Sequence, residues 1–149
     1  MKKCCFNLLL LIFLLAGCNS VTCDNGAELD ILEIFYTEYE DLQTVTIEGY
    51  KKGSNFTELT DASYKIIEYN EIDTVTHIFD CRLNKKINAK LDYKITLQAE
   101  NRVCYLTDIN AEDELCYDGM FVKKYSKRLD GYYVNGGLFA CQVLKVFFQ

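Results

Sequence analysis

The chain has 149 residues, 50% of them hydrophobic, and a formal net charge of −6 at pH 7. This length suits one domain with a substantial core. The negative charge argues against nucleic-acid binding and against attachment to an anionic membrane surface by charge alone. It is compatible with a basic partner, but ordinary solubility is the favoured explanation.

The N-terminal residues have the order of charge and apolarity that is typical of a secretion signal. Lys2 and Lys3 precede the uncharged apolar residues 8–16. This run is shorter than the roughly 20 residues that usually span a bilayer. We therefore predict a cleaved signal helix over residues 1–17, and an uncleaved anchor helix is the alternative.

The end of the apolar run decides between these two. Leu15-Ala16-Gly17-Cys18 resembles the lipobox of bacterial lipoproteins, in which leucine and two small residues precede a cysteine. The resemblance implies that the Cys18 thiol receives a diacylglyceryl group, that the signal is cut before Cys18, and that the new amine is usually acylated. Two or three chains hold firmly, because each buried methylene contributes about 0.8 kcal/mol.

The residue after the cysteine bears on location. By resemblance to enterobacterial lipoproteins, an aspartate there favours retention in the inner membrane, and this chain has Asn19. In a host with two membranes, we expect the protein in the outer membrane, facing the periplasm.

Cleavage divides the remaining chain into a tether and a domain. It removes Lys2 and Lys3 and leaves 132 of the 149 residues, with a net charge of −8 instead of −6. Residues 18–27 are the lipidated cysteine and a small, polar tether. Residues 28–149 are predicted to form a single β-rich domain.

The cysteines predict disulfides in an oxidising compartment. The chain has eight cysteines, of which Cys4 and Cys5 leave with the signal and Cys18 carries lipid. The remainder is odd, so at most two bridges form, and Cys23 in the tether is the candidate for the unpaired thiol. The candidate disulfide cysteines are Cys81, Cys104, Cys116 and Cys141.

Spacing does not fix their pairing. Cys104 with Cys116 would close a short loop, and Cys81 with Cys141 would connect an early strand to the last. Metal binding is disfavoured because there is no CxxC pair and the only histidine is distant in sequence from a cysteine.

Residues 29–42 fit both a helix and a strand. Their apolar residues recur at helical spacing, whereas the β-branched and aromatic composition favours a strand. The prediction favours a strand and leaves the helix open.

The rest of the chain predicts strands. Residues 43–50, 64–69, 74–83 and 90–99 contain alternating or β-branched segments, and Glu100-Asn101 is a predicted turn. Asn135-Gly136, between the predicted strands 132–134 and 138–148, is the strongest hairpin signal, because a tight primed turn requires positive φ angles. The predicted fold is mainly β, a small antiparallel sandwich or barrel after the signal helix.

The candidate chemistry is sparse. His77 lies on the apolar side of the predicted strand 74–83, and Cys81 is four residues away, roughly 13 Å at 3.3 Å per residue. This is too far for direct activation, so a packed, hydrogen-bonded histidine is favoured. No hydrolase, metalloprotease or phosphate-binding motif occurs, and we predict a non-enzymatic protein without cofactor or metal.

Two charged segments are candidate binding features. In residues 108–114, Asp108, Asn110 and Glu112 alternate as in calcium loops, but the EF-hand spacing and central glycine are missing, so a solvated acidic loop is favoured. The basic cluster at residues 123–128 is interpreted as a solvated loop or a lysine-protected edge strand. Phosphates, an acidic partner or the acidic residues 28–48 are its alternative contacts.

A predicted β domain on a lipid anchor, without a catalytic motif, favours a binding function over catalysis. The 11 tyrosines suit an interface. Length, lipobox, β content and the segment Asn101-Arg102-Val103-Cys104-Tyr105 resemble small lipoproteins that act as immunity proteins against type VI secretion effectors. The resemblance implies a protein partner and no nucleic acid. Periplasmic lysozyme inhibitors are a related possibility, and a structural accessory lipoprotein of an envelope assembly is the alternative.

An inhibitor of a basic enzyme cleft would use acidic residues, because complementary charge speeds association. The candidate partner-binding residues are Asp108, Glu112, Glu114 and Asp41.

Overall fold

The structure is a computed structural model that describes residues 29–35, 39–118 and 122–148. The expected signal helix, the lipobox, Cys18 and the tether lie outside these ranges. Within them, no helix is long and apolar enough to cross a membrane.

Two packed β-sheets form the described part of the chain, together with one helical turn, α1 (Tyr39–Leu42). The strands are β1 (Ile31–Phe35), β2 (Val45–Lys51), β3 (Leu59–Asp61), β4 (Ile66–Asp73), β5 (Ile78–Leu83), β6 (Leu91–Leu97), β7 (Arg102–Asp118), β8 (Val122–Val134), β9 (Gly137–Phe139) and β10 (Leu144–Phe147).

The strand order is β10-β1-β5-β4 in one sheet and β3-β2-β6-β7-β8-β9 in the other. The mainly β prediction is confirmed. The sheets are open, so the sandwich alternative is correct and the barrel alternative is wrong.

Local sequence explains the centre of the six-stranded sheet. Tyr93, Ile95 and Leu97 of β6 are fully buried, as their alternation predicts. Asn101 closes the turn into β7 with a φ of 53°, in the left-handed region that asparagine tolerates. Asn135 and Gly136 form the predicted tight turn between β8 and β9, with φ of 50° and 83°.

One pairing departs from the antiparallel prediction. β1 pairs with β10 in parallel, with Leu32 opposite Leu144 and Ile34 opposite Val146, and all four residues are fully buried. Residues 138–148, predicted as one hairpin strand, therefore divide between the sheets. β9 stays beside β8, and β10 crosses to the four-stranded sheet.

Both sheets contribute to one apolar core. The four-stranded sheet supplies Leu32, Ile34 and Phe79, and the six-stranded sheet supplies β6 and its neighbours. At Gly49, an added Cβ would lie 3.0 Å from Leu91 Cδ1, so a larger residue here would require the Leu91 side chain to shift.

Two local predictions need revision. Residues 29–42 contain β1 and then α1, so strand and helix are each correct for a part of the segment. The predicted strand 74–83 begins only at Ile78, because residues 74–77 form a turn with His77 at a φ of 49°. The packed-histidine prediction is wrong: the His77 side chain is 47% exposed, and its Nδ1 lies 3.5 Å from Glu71 Oε1.

Among the described cysteine side chains, no two form a disulfide. Cys81, Cys104 and Cys141 are free thiols. Cys104 and Cys116 belong to the same strand, β7, rather than to a short loop. Twelve residues of extended strand span about 40 Å at 3.3 Å per residue, whereas a disulfide requires Cα atoms within about 7 Å. The Cys116 side chain is outside the described part.

Candidate protein-binding arm

A two-stranded projection is the feature that most distinguishes the described surface. β7 pairs with β6 only over Arg102–Leu106, and β8 pairs with β9 only over Tyr132–Val134. Beyond these limits, β7 and β8 pair with each other from Asn110↔Gly131 to Asp118↔Val122. We call residues 110–118 with 122–131 the arm, which has no third strand on either edge within the described chain.

The arm corrects the prediction for residues 108–114, because they belong to β7 and not to a solvated loop. Residues 123–128 lie opposite them in β8, so the basic cluster meets the acidic strand and not residues 28–48. The register pairs Glu112 with Arg128 and Asp113 with Lys127. Opposite charges across two strands favour this pairing.

One of these pairs forms an ion pair in the arm. Lys127 Nζ lies 2.8 Å from Asp113 Oδ1, and about half of each side chain is exposed. Solvent screens such a pair, which contributes roughly 0–1 kcal/mol. Arg128 also binds within its own strand, with Nε 3.1 Å from Asp130 Oδ1. These pairs fix register more than they stabilise the fold.

An apolar pair interrupts the charges. Leu115 is directly opposite Tyr125, and the two are 39% and 73% exposed. By strand alternation, they share a face with the Asp113–Lys127 pair and with Leu129, which is buried at the base of the arm. One face of the arm therefore runs from the core to an exposed leucine–tyrosine pair.

A groove of about 380 Å³ lies at the base of the arm. Its lining residues are Leu29, Ile87, Asn88, Ala89, Lys90, Ile109, Asn110, Ala111 and Lys127. Apolar side chains form much of this lining, and two lysines stand beside them. The groove and the arm are adjacent, because Asn110, Ala111 and Lys127 belong to both.

The structure brings together only part of the predicted acidic set. Asp108, Glu112 and Glu114 all lie on β7, but the side chain of Glu114 is not described. Asp108 is at the base of the arm, with a φ of 50° and Oδ1 3.5 Å from Lys52 Nζ. Asp41 lies apart from them, in α1.

Sequence reasoning missed Leu115 and Tyr125. The sequence nevertheless contains a signal for this pair. Asp118-Gly119 is a turn dipeptide, and Leu115 and Tyr125 are equally distant in sequence from Met120. A hairpin centred there pairs Leu115 with Tyr125. The acidic residues of β7 obscured it, because they are depleted in strands generally.

A second cluster has the composition of a serine–lysine pair. Lys85 Nζ contacts both Ser63 Oγ and Asp61 Oδ2 at 2.5 Å. The hydrogen bond from Lys85 lowers the pKa of Asp61 to about 2, assisted by the Ser63 backbone and side chain. Lys85 Nζ donates to both groups, so it serves here as a hydrogen-bond donor and not as the base that a serine–lysine pair requires. The cluster stabilises the chain between β3 and β5.

Within the described residues, no group of histidine, cysteine or acidic side chains is arranged to hold a metal ion. No protein-family model, curated protein or solved structure matches the chain. The arm is thus the site with the clearest physical rationale.

Proposed function

We propose that the chain is a lipid-anchored bacterial envelope protein whose β domain binds another protein through the arm. In this proposal it acts as an immunity or inhibitor protein against a secreted toxin. The observation that carries the proposal is the exposed Leu115–Tyr125 pair on an arm without neighbouring strands. Tyrosine gives large contact area with few rotatable bonds, and aromatic anchors dominate many interfaces.

The shape of the arm supports an inhibitory role. A hairpin two strands wide enters a cleft more readily than a flat sheet, and its base is secured in the core by Leu129. The charged pairs beside Leu115 and Tyr125 supply the polar rim that surrounds an apolar contact in many interfaces. Complementary charges on a partner would orient the arm as it binds.

The principal test is capture of the partner by the full, lipidated chain, extracted in detergent with a C-terminal affinity tag. Secreted proteins of neighbouring strains are the source, and bound proteins are identified by mass. A stoichiometric toxin or cell-wall hydrolase is expected, lost in the Leu115→Ser/Tyr125→Ser variant. Val75→Ser is the matched control, because Val75 is 87% exposed in the turn before β5. Equal capture by the arm variant and the control would refute the arm as the binding site.

The anchor is tested separately. Cys18→Ser should abolish incorporation of a labelled fatty acid and release the domain from the membrane fraction. Cys23→Ser is the control and should leave both unchanged. A Cys18→Ser protein that still incorporates the fatty acid would contradict the lipobox prediction.

The alternative is a structural accessory of an envelope assembly, and the edge of the four-stranded sheet favours it. β4 is an edge strand with Ile67 and Ile72 exposed. An exposed edge of this kind accepts a strand from a neighbour. A resident envelope protein lost with Ile67→Ser/Ile72→Ser but retained by the arm variant would establish this alternative instead.

A further inference from the structure

The arm has two open edges, and they differ in charge. Over residues 110–118, the side of β7 that faces away from β8 has no strand beside it in the described chain, because β6 pairs only as far as Leu106. β8 likewise has no strand beside it over residues 122–131, but at Leu129 the Gln142 side-chain amide accepts from the backbone N–H at 3.3 Å and donates to the backbone oxygen at 3.2 Å. Unpaired backbone groups along an edge are a template for another strand.

The acidic residues belong to one strand and the basic residues to the other. Residues 110–118 of β7 contain no lysine or arginine, and their acidic residues are Glu112, Asp113, Glu114 and Asp118. Residues 122–131 of β8 contain only one acidic residue, Asp130, and their basic residues are Lys123, Lys124, Lys127 and Arg128. A strand added beside β7 therefore meets acidic neighbours across the new pairing.

We propose that the β7 edge of the arm binds an extended basic segment of the partner protein as an added strand. This inference rests on the proposed function and names the class of segment that the arm recognises. Basic side chains on one face of the added strand lie opposite Glu112, which is exposed. Apolar side chains on its other face lie beside Leu115, which is 39% exposed.

Charge disfavours a second copy of this chain as the occupant. Pairing β7 with its copy places acids beside acids, and pairing β8 with its copy places bases beside bases, which is destabilising. Pairing β7 with β8 of another copy leaves open edges and produces an unending assembly. The net charge of −6 further favours a basic partner by long-range attraction.

The probe is a synthetic seven-residue peptide that alternates lysine and valine, with a glutamate–valine peptide as the charge control. Binding to the full chain is measured by fluorescence anisotropy. We expect saturable binding of the lysine peptide and none of the glutamate peptide. Absence of lysine-peptide binding would overturn the proposal.

Backbone methylation separates strand addition from simple charge attraction. In an added strand, every second backbone amide points toward β7 and the others point away from it. N-methyl groups on the amides that point toward β7 should block binding, whereas N-methyl groups on the others should be tolerated. Equal binding of both methylated peptides would show that no strand is added and would overturn the proposal.

Two chain variants with the same change in net charge locate the site. Glu112→Lys/Asp113→Lys should weaken peptide binding at least tenfold, whereas Glu68→Lys/Glu71→Lys on the β4 edge should change it less than twofold. Glu112→Gln/Asp113→Asn provides a second, milder test should the reversed charges disturb the arm. An equal loss in the β4 variant would refute the β7 edge.

The two proposals fail in different ways. If the Leu115→Ser/Tyr125→Ser variant loses the captured toxin but the lysine peptide never binds, the arm binds by its face, and only the edge inference is overturned. If the peptide binds the β7 edge while capture is unaffected by that variant, the edge inference is supported and the proposed role of the Leu115–Tyr125 pair fails.

Discussion

Asn135 and Phe147 connect the two sheets: the side-chain nitrogen of Asn135 donates to the backbone oxygen of Phe147 at 2.7 Å. The side-chain oxygen of Asn135 accepts from the backbone N–H of Tyr105 at 2.8 Å. One turn residue therefore binds β7 in one sheet and β10 in the other. Tyr132 makes a second connection of this kind: its hydroxyl donates to the Val143 carbonyl at 2.8 Å and accepts from the Lys145 N–H at 2.9 Å.

Replacing Asn135 should reveal this role. Asn135→Ala removes both side-chain hydrogen bonds and puts alanine, which tolerates positive φ less well than asparagine, at this position, so we expect a loss of about 2–3 kcal/mol in unfolding free energy. Asn135→Gly keeps the turn conformation and loses the same two bonds, so it should lose about 1 kcal/mol less. Urea unfolding measures both. An unchanged midpoint in both variants would contradict the inter-sheet role.

Acid should weaken the fold through Asp61. Its pKa is lowered to about 2 from an ordinary 3.8, chiefly by the hydrogen bond from Lys85. The unfolded state therefore binds the proton more readily, and the stabilisation is present above about pH 4 and is lost as the pH falls toward 2. Asp61→Asn should flatten this acid dependence in urea-unfolding midpoints. Glu58→Gln, which removes an exposed partner of Lys51, is the control and should retain the wild-type slope.

The buried thiols should resist alkylation. Burial raises the pKa of Cys81 to about 12 and that of Cys104 to about 11. Because the thiolate is the reactive species, neither should react with iodoacetamide at pH 8 until urea unfolds the domain, as followed by mass spectrometry of each cysteine peptide. The half-buried Cys141 should react first among these three. Recovery of a Cys81–Cys141 disulfide peptide from a non-reducing digest would contradict the free-thiol arrangement.

The arm should open more readily than the sheet that bears it. Amides of residues 112–127 in the described chain are protected only by the β7–β8 pairing, whereas β6 is paired on both sides and its Ile95 is fully buried. Local stability follows such burial. Hydrogen exchange should thus be at least tenfold faster in the arm than in β6. The Leu115→Ser/Tyr125→Ser variant should leave exchange in β6 unchanged, and faster exchange there would show that the pair supports the core.

Local patterns predicted the parts of the fold that depend on neighbouring residues. The alternation around Ile95 and the Asn135-Gly136 turn are examples, because side-chain period and turn dihedrals are set within a few positions. The transfer of β10 to the other sheet was not predictable, because it depends on side chains such as Tyr132 that are distant in sequence. The exposure of Glu112 agrees with the solvated segment that the sequence predicts, but its strand conformation depends on pairing with residues 122–128.

The pairing of β10 with β1 also determines when β1 becomes paired on both sides during synthesis. β1 gains one neighbour when β5 has been made, and gains its other neighbour only when Leu144 and the residues after it leave the ribosome. Leu32 and Ile34, fully buried in the finished domain, therefore lack one neighbouring strand until β10 has been made. Pairing across more than a hundred residues is slow to form. β1 thus presents an unpaired edge to other chains while more than a hundred further residues are made, and such an edge is a template for misassembly.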